Sequence, residues 1–487
     1  MTVKEQPPSI QKNYLLTLAD QLFAMLVPFI TAPYTARVLG AEAIGIYSYT
    51  YSIYFLFAIL GTVGTGYYAS RQIAYTRDDS QKCSRTFWEI FLLRNIFLAA
   101  MTLIYLVAII PHSAFRTVAF LQMINFAAMA MDVSWFFEGR EFFSKIVLRN
   151  ISIKIMAVAA LFILIKKPSD LPLYTACFAL GSVIGNASLL PYLKNLLTPI
   201  PLRGLRLLPH LKGALPLLLP QLALTMQLYI NRIMVGLLTK NQAEVGFYVQ
   251  AQTVVSAALV LITSLSFVKA PRIANSFQNN RNEFIAQTLE NSMRFLWLFG
   301  FLLVAGLAGT AQSFVPWFLG NDFYRVSAII IWLCPVLLFS GLVSVLGEQY
   351  LLPTGKNRQW TGALVLNVLL NVGMNFTLIP AFGAVGSAIS VNVSGLACAL
   401  LMLYFVRKHI HFKLLFPIRH LLCAIAALGV MLGIHWLWRA SSALETLAII
   451  VAGFAVYVFP LWLCKDAFFI QGVDMVLEKM NGIKLGR

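Results

Sequence analysis

Residues 14–69 read YLLTLADQLFAMLVPFITAPYTA, then RVLGAE, then AIGIYSYTYSIYFLFAILGTVGTGYYA: an apolar run of 23 residues, a gap of six and a second apolar run of 27. As helices at ~1.5 Å per residue the two runs reach roughly 34 and 40 Å, enough to cross a hydrocarbon core of ~30 Å. The gap has room only for a turn, so the stretch predicts two transmembrane helices in a hairpin. The pattern then continues. Further apolar runs lie near 86–110, 117–137, 147–165, 171–193, 213–238, 244–268, 294–319, 326–352, 360–380, 384–406, 417–438 and 445–464, giving about fourteen spans in all. The fold class expected is an all-α integral membrane protein.

Composition agrees, because the chain is 11% charged and 59% hydrophobic, against ~25% charged in a soluble domain. A net charge of +18 over 487 residues would suit a nucleic-acid partner until it is placed on the spans. Only seven of the 37 Lys and Arg residues fall in the odd-numbered gaps: Arg37, Arg116, Lys166, Lys167, Lys240, Arg325 and Arg439. Arg94 and Arg232 lie within spans, and the other 28 gather at or beside the even-numbered gaps and the two termini. Cytoplasmic loops retain Lys and Arg, so both termini are expected in the cytoplasm and the chain in the cytoplasmic (inner) membrane. The excess charge is then topological, with a contribution toward anionic membrane lipids, and no nucleic acid is expected.

The gaps also exclude an enzyme. Every outward gap is short, so no outer domain can carry the acids of a membrane glycosyltransferase or polymerase. The chain has no HExxH, GxSxG or GxxxxGK motif, and its six cysteines are scattered, so neither a metal nor a cofactor is expected. The Arg77-Asp78-Asp79 cluster reads as a solvated charge run in an inner loop. Lys4 and Lys12 before an apolar run mimic a signal peptide, but Asp20 and Gln21 interrupt that run and a second span follows at once. A retained first helix is expected.

An internal repeat organises the spans. Glu42-Ala-Ile-Gly45-Ile-Tyr47 returns as Glu244-Val-Gly246-Phe-Tyr248, the glycines 201 residues apart, and Ala69-Ser70-Arg71 returns as Ala270-Pro271-Arg272 at the same offset. A weaker match pairs Gly139-Arg140 with Gly355-Lys356. Six spans therefore repeat in one orientation, which predicts two six-helix lobes, 1–200 and 201–412, with two extra C-terminal helices and a cytoplasmic tail in 413–487. Parallel repeats of this kind place a substrate site near the membrane midplane at their interface.

Polar residues within the spans mark what is carried. The first helix has Thr17, Gln21, Thr31 and Thr35 at helical spacing, and its repeat partner has Gln221, Thr225 and Arg232. Gln21, Gln221, Thr225 and, on the eleventh helix, Asn371 are candidate ligands for sugar hydroxyls, although the same residues could simply join helices. Ionisable groups in lipid usually face a cavity or a partner. Arg94, Lys154, Arg232 and Arg37 would suit a phosphate-bearing headgroup. Asp20 and Asp132 are candidates for coupling ions or for holding those cations. The structural alternative is a pair of bridges, Asp20–Arg94 or Asp132–Lys154. Tyr47, Tyr51 and Tyr54 form a stripe whose first reading is an interfacial aromatic belt and whose second is sugar stacking.

Several separated stretches, in order, resemble the Wzx-type polysaccharide repeat-unit flippases: Tyr34-Thr-Ala-Arg37-Val-Leu-Gly40-Ala-Glu42-Ala-Ile-Gly45-Ile-Tyr47-Ser-Tyr49, Asp132-Val-Ser-Trp135-Phe-Phe-Glu-Gly139, Glu244-Val-Gly246-Phe-Tyr248, Pro353-Thr-Gly355-Lys356 and Gly383-Ala-Val-Gly386-Ser-Ala388. The resemblance runs from about residue 12 to 412. It implies the multidrug/oligosaccharidyl-lipid/polysaccharide exporter fold, two lobes in a V. It also implies translocation of an undecaprenyl-pyrophosphate-linked oligosaccharide from the inner to the outer leaflet for O-antigen, capsule or exopolysaccharide assembly. A polymerase and a chain-length regulator of the same pathway are candidate partners. Many relatives have twelve spans. Fourteen occur in the related lipid II flippases, which keeps peptidoglycan precursor transport as an alternative. A multidrug cation antiporter of the same fold would want a net acidic cavity, and the cations here argue against it.

Overall fold

The computed structural model describes residues 10–201, 204–279, 281–407, 418–438, 442–464 and 469. Among these the chain is helical, with no strand. Twelve helices are long and apolar enough to cross a bilayer, and a pair bent by 46°, Asn321–Leu333 with Val336–Leu351, adds a thirteenth. The first of the twelve, Leu26–Thr76, has 51 residues. At ~1.5 Å per residue it would measure about 76 Å, more than twice the thickness of a hydrocarbon core. It is broken at Gly40, whose φ of 77° and ψ of 171° are not helical. Because the helix itself begins at Ile10, the break yields two spans, 10–39 and 41–76, and the total becomes fourteen.

Side-chain contacts give the neighbours of the spans on either side of Gly40. Asp20 and Tyr34 of the first span meet Lys154 in the middle of the fifth, Phe143–Leu164, and Ile165 just past its end, so these spans run parallel. After the turn, Phe57 packs on Tyr105 and Gly61 on Leu98, so the second span runs antiparallel to the third, Ser80–Ile109. The fourth, sixth and seventh spans are Arg116–Gly139, Pro168–Leu193 and Leu207–Thr239. The seventh closes on Lys240, which takes φ 53°. Each hairpin thus turns through a residue in the left-handed region, glycine in one case and lysine in the other.

The repeat has a geometric counterpart at these turns. A Cβ added to Gly45 would lie 1.7 Å from the backbone oxygen of Gln242, and one added to Gly246 would lie 1.9 Å from the backbone oxygen of Ala41. Gln242 stands 201 residues after Ala41, as Gly246 stands 201 after Gly45. Residue i meets j, and the repeat of i meets the repeat of j in exchange. That reciprocity defines a two-fold contact. The weaker match does not extend to conformation: Gly355 takes φ 76°, whereas Gly139 ends a helix and lies against Ser70 and Ile73.

The chain divides into two compact units, residues 1–246 and 247–487. This division follows packing and keeps the seventh span with the second and third, which it contacts; the sequence repeat predicts a boundary at 200 instead. In the first unit a core of Tyr68, Ile73, Phe87, Trp135, Phe136 and Phe137 joins the end of the second span, the start of the third and the end of the fourth. Asp79 begins the third helix by accepting hydrogen bonds from Gln81 N and Lys82 N, both at 3.1 Å. The Lys82 amide holds its carboxyl below the usual carboxylate range. Nearby, Arg77 pairs with Glu141 at 2.8 Å, so the loop charge run is a set of caps and surface pairs.

In the second unit the eleventh and twelfth helices, Asn357–Phe382 and Ala384–Val406, fold back at Gly383. The thirteenth and fourteenth, Ile418–Trp438 and Ala443–Leu463, pack on each other and on the ninth, Asn282–Phe318. Trp317 Nε1 donates to Thr446 Oγ1 at 3.0 Å and Tyr457 OH to Leu298 O at 2.9 Å. Met431 lies against Gly309 and Gly453, where any larger residue would collide. The two helices outside the repeat are thus a hairpin docked along one span.

Candidate functional site

The fourth span is interrupted: helix Met123–Ala130 ends and helix Ser134–Gly139 begins after it. Carbonyls released by a break inside a membrane must find other donors. Arg94 supplies them from the third span. It is 4% exposed. Its Nη1 donates to Asp132 O and its Nη2 to Met129 O, each at 3.2 Å, and Nη2 also reaches Asp132 Oδ2 at 3.4 Å. The other carboxylate oxygen, Asp132 Oδ1, accepts from Ser134 N at 3.0 Å and Ser134 Oγ at 2.5 Å, with Arg149 Nη1 3.9 Å away.

The network runs on through the fifth span. Arg149 donates to Ser134 Oγ (3.0 Å), Asn186 Oδ1 (2.8 Å) and Asn150 Oδ1 (2.7 Å from Nη2). Asn150 Nδ2 donates to Asp20 Oδ2 at 2.9 Å, and Lys154 Nζ to Asp20 Oδ1 at 2.7 Å. Three cations and two carboxylates therefore form one hydrogen-bonded chain across the first, third, fourth, fifth and sixth spans. The ion bridges exist, but with partners exchanged relative to the sequence reading: Asp20 holds Lys154 and Asp132 holds Arg94. Rise along a helix gives the depth of a charge, not its azimuth. The first span packs on the fifth and the third on the interrupted fourth, and that choice of neighbours decides the pairing.

Beside Arg94 lies a cavity of about 350 Å³ lined by Arg94, Asp132, Glu138, Gln221 and Thr225 among others. Four of these five were singled out by the sequence, and helices distant in the chain bring them together. Arg94 Nε and Gln221 Oε1 are buried without a hydrogen-bond partner. Gly66 on the second span borders the Gln221 amide, and a Cβ there would make only an ordinary contact, 3.6 Å from Nε2.

The remaining candidates lie elsewhere. Asp20 and Lys154 belong to the network but do not line this cavity. Arg37 is exposed beside the Gly40 turn. Arg232 lies over the Tyr229 ring, 5.2 Å from its centroid. Asn371 is buried in the second compact unit and accepts from Asn375 Nδ2 at 3.3 Å, while its own Nδ2 has no partner. The side chain of Gln21 lies outside the described residues. Tyr47, Tyr51 and Tyr54 depart from the interfacial-belt reading. They form a ladder directed into the first unit, with Tyr47 on Tyr174 (4.9 Å), Tyr51 near Tyr229 (6.1 Å) and Tyr54 on Phe126 (4.8 Å).

A family model described as "Polysaccharide biosynthesis protein" matches residues 10–277, more than half of the chain. The chain belongs to that family. The matched segment contains the whole network and the cavity beside Arg94. Two relatives named "Putative O-antigen transporter" match about four-fifths of it. One, from Escherichia coli (strain K12), is 21% identical over 407 residues, 82% of this chain and 97% of its own length. The other, from Shigella dysenteriae, is 24% identical over 406 residues, 82% of this chain and 100% of its own. Among solved structures, the lipid II flippase MurJ in an inward closed conformation superposes with a TM-score of 0.76 at 17% identity, covering 93% of this chain and 99% of MurJ. An inward-facing multidrug resistance transporter of the MATE family gives 0.61 at 12% identity, covering 80% and 94%. The fold is therefore that of the multidrug/oligosaccharidyl-lipid/polysaccharide exporter superfamily.

Two parts of this polysaccharide biosynthesis protein were not legible in its sequence. Glu138, which lines the cavity, lies six residues after Asp132 on the same interrupted span, and that spacing was the available signal. Glu89 is buried in the third helix, where it accepts from Arg85 Nε (3.1 Å) and Arg206 N (2.8 Å) and pairs with His210 Nε2 (2.8 Å). His210 Nδ1 lies 3.0 Å from Tyr68 OH. This cluster ties the start of the seventh span to the third and second. A carboxylate within an apolar run was its only sequence mark.

Proposed function

We propose that the chain is a flippase that carries an oligosaccharide linked to undecaprenyl pyrophosphate from the inner to the outer leaflet of the cytoplasmic membrane, by alternating access and without covalent chemistry. The observation that carries this reading is the cation-bearing network buried among membrane-crossing helices within the segment that places the chain in its family. The names of its two relatives support an O-antigen type of cargo. Arg94 and Lys154 already hold carboxylates, so an entering pyrophosphate would compete with Asp132 and Asp20. Those acids then act as placeholders that keep the cations desolvated and oriented between cycles. Gln221, Thr225 and Gln21 would meet sugar hydroxyls, with Asn371 in the second unit, while Arg232 and Arg37 would attract the anion. The tyrosine ladder beside Arg232 offers faces on which sugar rings can stack. In this reading both termini lie in the cytoplasm, as the distribution of Lys and Arg supports, and a polymerase and chain-length regulator of the pathway are proposed partners.

Deletion of the gene should strand lipid-linked repeat units on the inner leaflet and remove surface polymer, with resistance to cationic drugs unchanged. The converse pattern would favour a multidrug antiporter. Lipid II transport is the second reading, favoured by the fourteen spans. It predicts instead that this gene relieves loss of a peptidoglycan-precursor flippase.

A further inference from the structure

A second cavity, of about 380 Å³, opens between the fifth and sixth spans and shares no lining residue with the Arg94 cavity. Its polar end carries Lys145, Arg149, Ser152 and Ser188, and no carboxylate lines it. Its apolar wall is formed by Leu148, Met156 and Ile184, each at least half exposed. The two helices approach closely where Ile153 fills the space that a Cβ on Gly185 would need, and both residues line the groove. Lys145 lies in the first turn of the fifth helix, its Nζ 4.6 Å above the Tyr192 ring. Arg149 forms the back wall. Its hydrogen bonds go to neutral oxygens of Ser134, Asn186 and Asn150. Its nearest carboxylate, Asp132, is 3.9 Å away and is shared with Arg94.

Cations and hydroxyls at the mouth of an apolar groove between two membrane helices match a molecule with a phosphate head and hydrocarbon tails. We propose that this cavity binds an anionic glycerophospholipid, its phosphate between Lys145 and Arg149 and an acyl chain along Leu148, Met156 and Ile184. Arg149 hydrogen-bonds Ser134, which in turn holds Asp132. A phosphate that draws on Arg149 therefore loosens one of the two cations around Asp132, and lipid binding is coupled to the Arg94 pair. The inference rests on the transporter reading only for the leaflet, since Lys145 follows a basic gap assigned to the cytoplasmic side.

The test uses the full chain in nanodiscs of phosphatidylcholine and phosphatidylglycerol, with retained lipid measured by native mass spectrometry. The unaltered chain should retain phosphatidylglycerol in preference to phosphatidylcholine. Lys145→Gln removes one cation near the headgroup and should lower phosphatidylglycerol retention about fivefold. Ser152→Trp fills the groove and should abolish the preference. Phosphatidylcholine retention and monodispersity should not change in either variant. Excess inorganic phosphate should leave phosphatidylglycerol bound, because the chain contacts remain; displacement by phosphate alone would replace the lipid site with a free-anion site. An unaltered chain without preference overturns the proposal before any variant is needed, as does a preference that survives both substitutions. The assay contains no oligosaccharide, so its failure is distinct from a failure of complementation.

Discussion

Replacing Arg94 and Asp132, singly and together, separates a positioning network from independent structural contacts. Arg94→Ala removes the donors to Met129 O and Asp132 O at the break in the fourth span, together with the 3.4 Å contact to Asp132 Oδ2. Hydrogen bonds to a charged donor contribute ~1.5–3 kcal/mol each, so two orphaned carbonyls put the cost at roughly 3 kcal/mol or more. Asp132→Ala leaves Arg94 and Arg149 facing each other with no shared carboxylate. Breaking a buried pair in this way costs about 3–5 kcal/mol, and the lower end applies because the Asp132 side chain is 27% exposed. The double variant removes both the uncompensated cation and its partner. It should be less destabilised than the sum of the singles by ~0.5–3 kcal/mol, the usual range for groups in one network. Thermal unfolding of the purified chain in detergent, with membrane abundance measured in parallel, supplies the cycle. Transport should distinguish the variants further. Arg94→Lys keeps the charge but not the planar fork, so part of the surface polymer should return, whereas Arg94→Ala should restore none. Strictly additive stabilities, or normal export by Arg94→Ala, would refute the argument.

Gly45→Ala and Gly246→Ala place a methyl group against backbone oxygens at 1.7 and 1.9 Å, and each should cost ~3 kcal/mol, the upper range of overpacking. Gly40→Ala meets no atom within 4 Å and pays only for its positive-φ, extended-ψ backbone (φ 77°, ψ 171°), of order ~1–3 kcal/mol; unchanged membrane abundance of the Gly45 and Gly246 variants would contradict the contact. Reporter fusions after Lys82, Lys212 and Arg407 should read cytoplasmic and those after Arg116, Lys240 and Arg439 extracytoplasmic. A carboxy terminus found outside would sink the fourteen-span topology.

The spans and their number were legible because apolar length is a property of the chain alone, and the Gly40 break only resolves one long helix into the two runs already visible at 14–36 and 43–69. The repeat was legible for the same reason, since Gly45 and Gly246 occupy equivalent positions whatever surrounds them. What the sequence could not give was lateral neighbourhood. Asp20 and Arg94 sit at compatible depths, as do Asp132 and Lys154, yet the observed pairs are the other two. The tyrosine stripe similarly had a period but no direction, and its turn toward Tyr174 and Tyr229 depends on the sixth and seventh spans. Glu89 and His210 are 121 residues apart, and no local pattern connects them.

The contact between Gly45 and Gln242, mirrored by Gly246 and Ala41, has the logic of a homodimer joint written into a single chain. In a true homodimer one mutation strikes both sides of a self-complementary surface at once. Once two copies are fused, each side mutates alone, and most of such a surface is free to drift apart. Here the joint is made from main chain on main chain, and its recognition requires only that two β-carbons be missing. That demand is indifferent to every other side chain. It leaves the rest of both segments free to differ in side chain while the contact keeps its form.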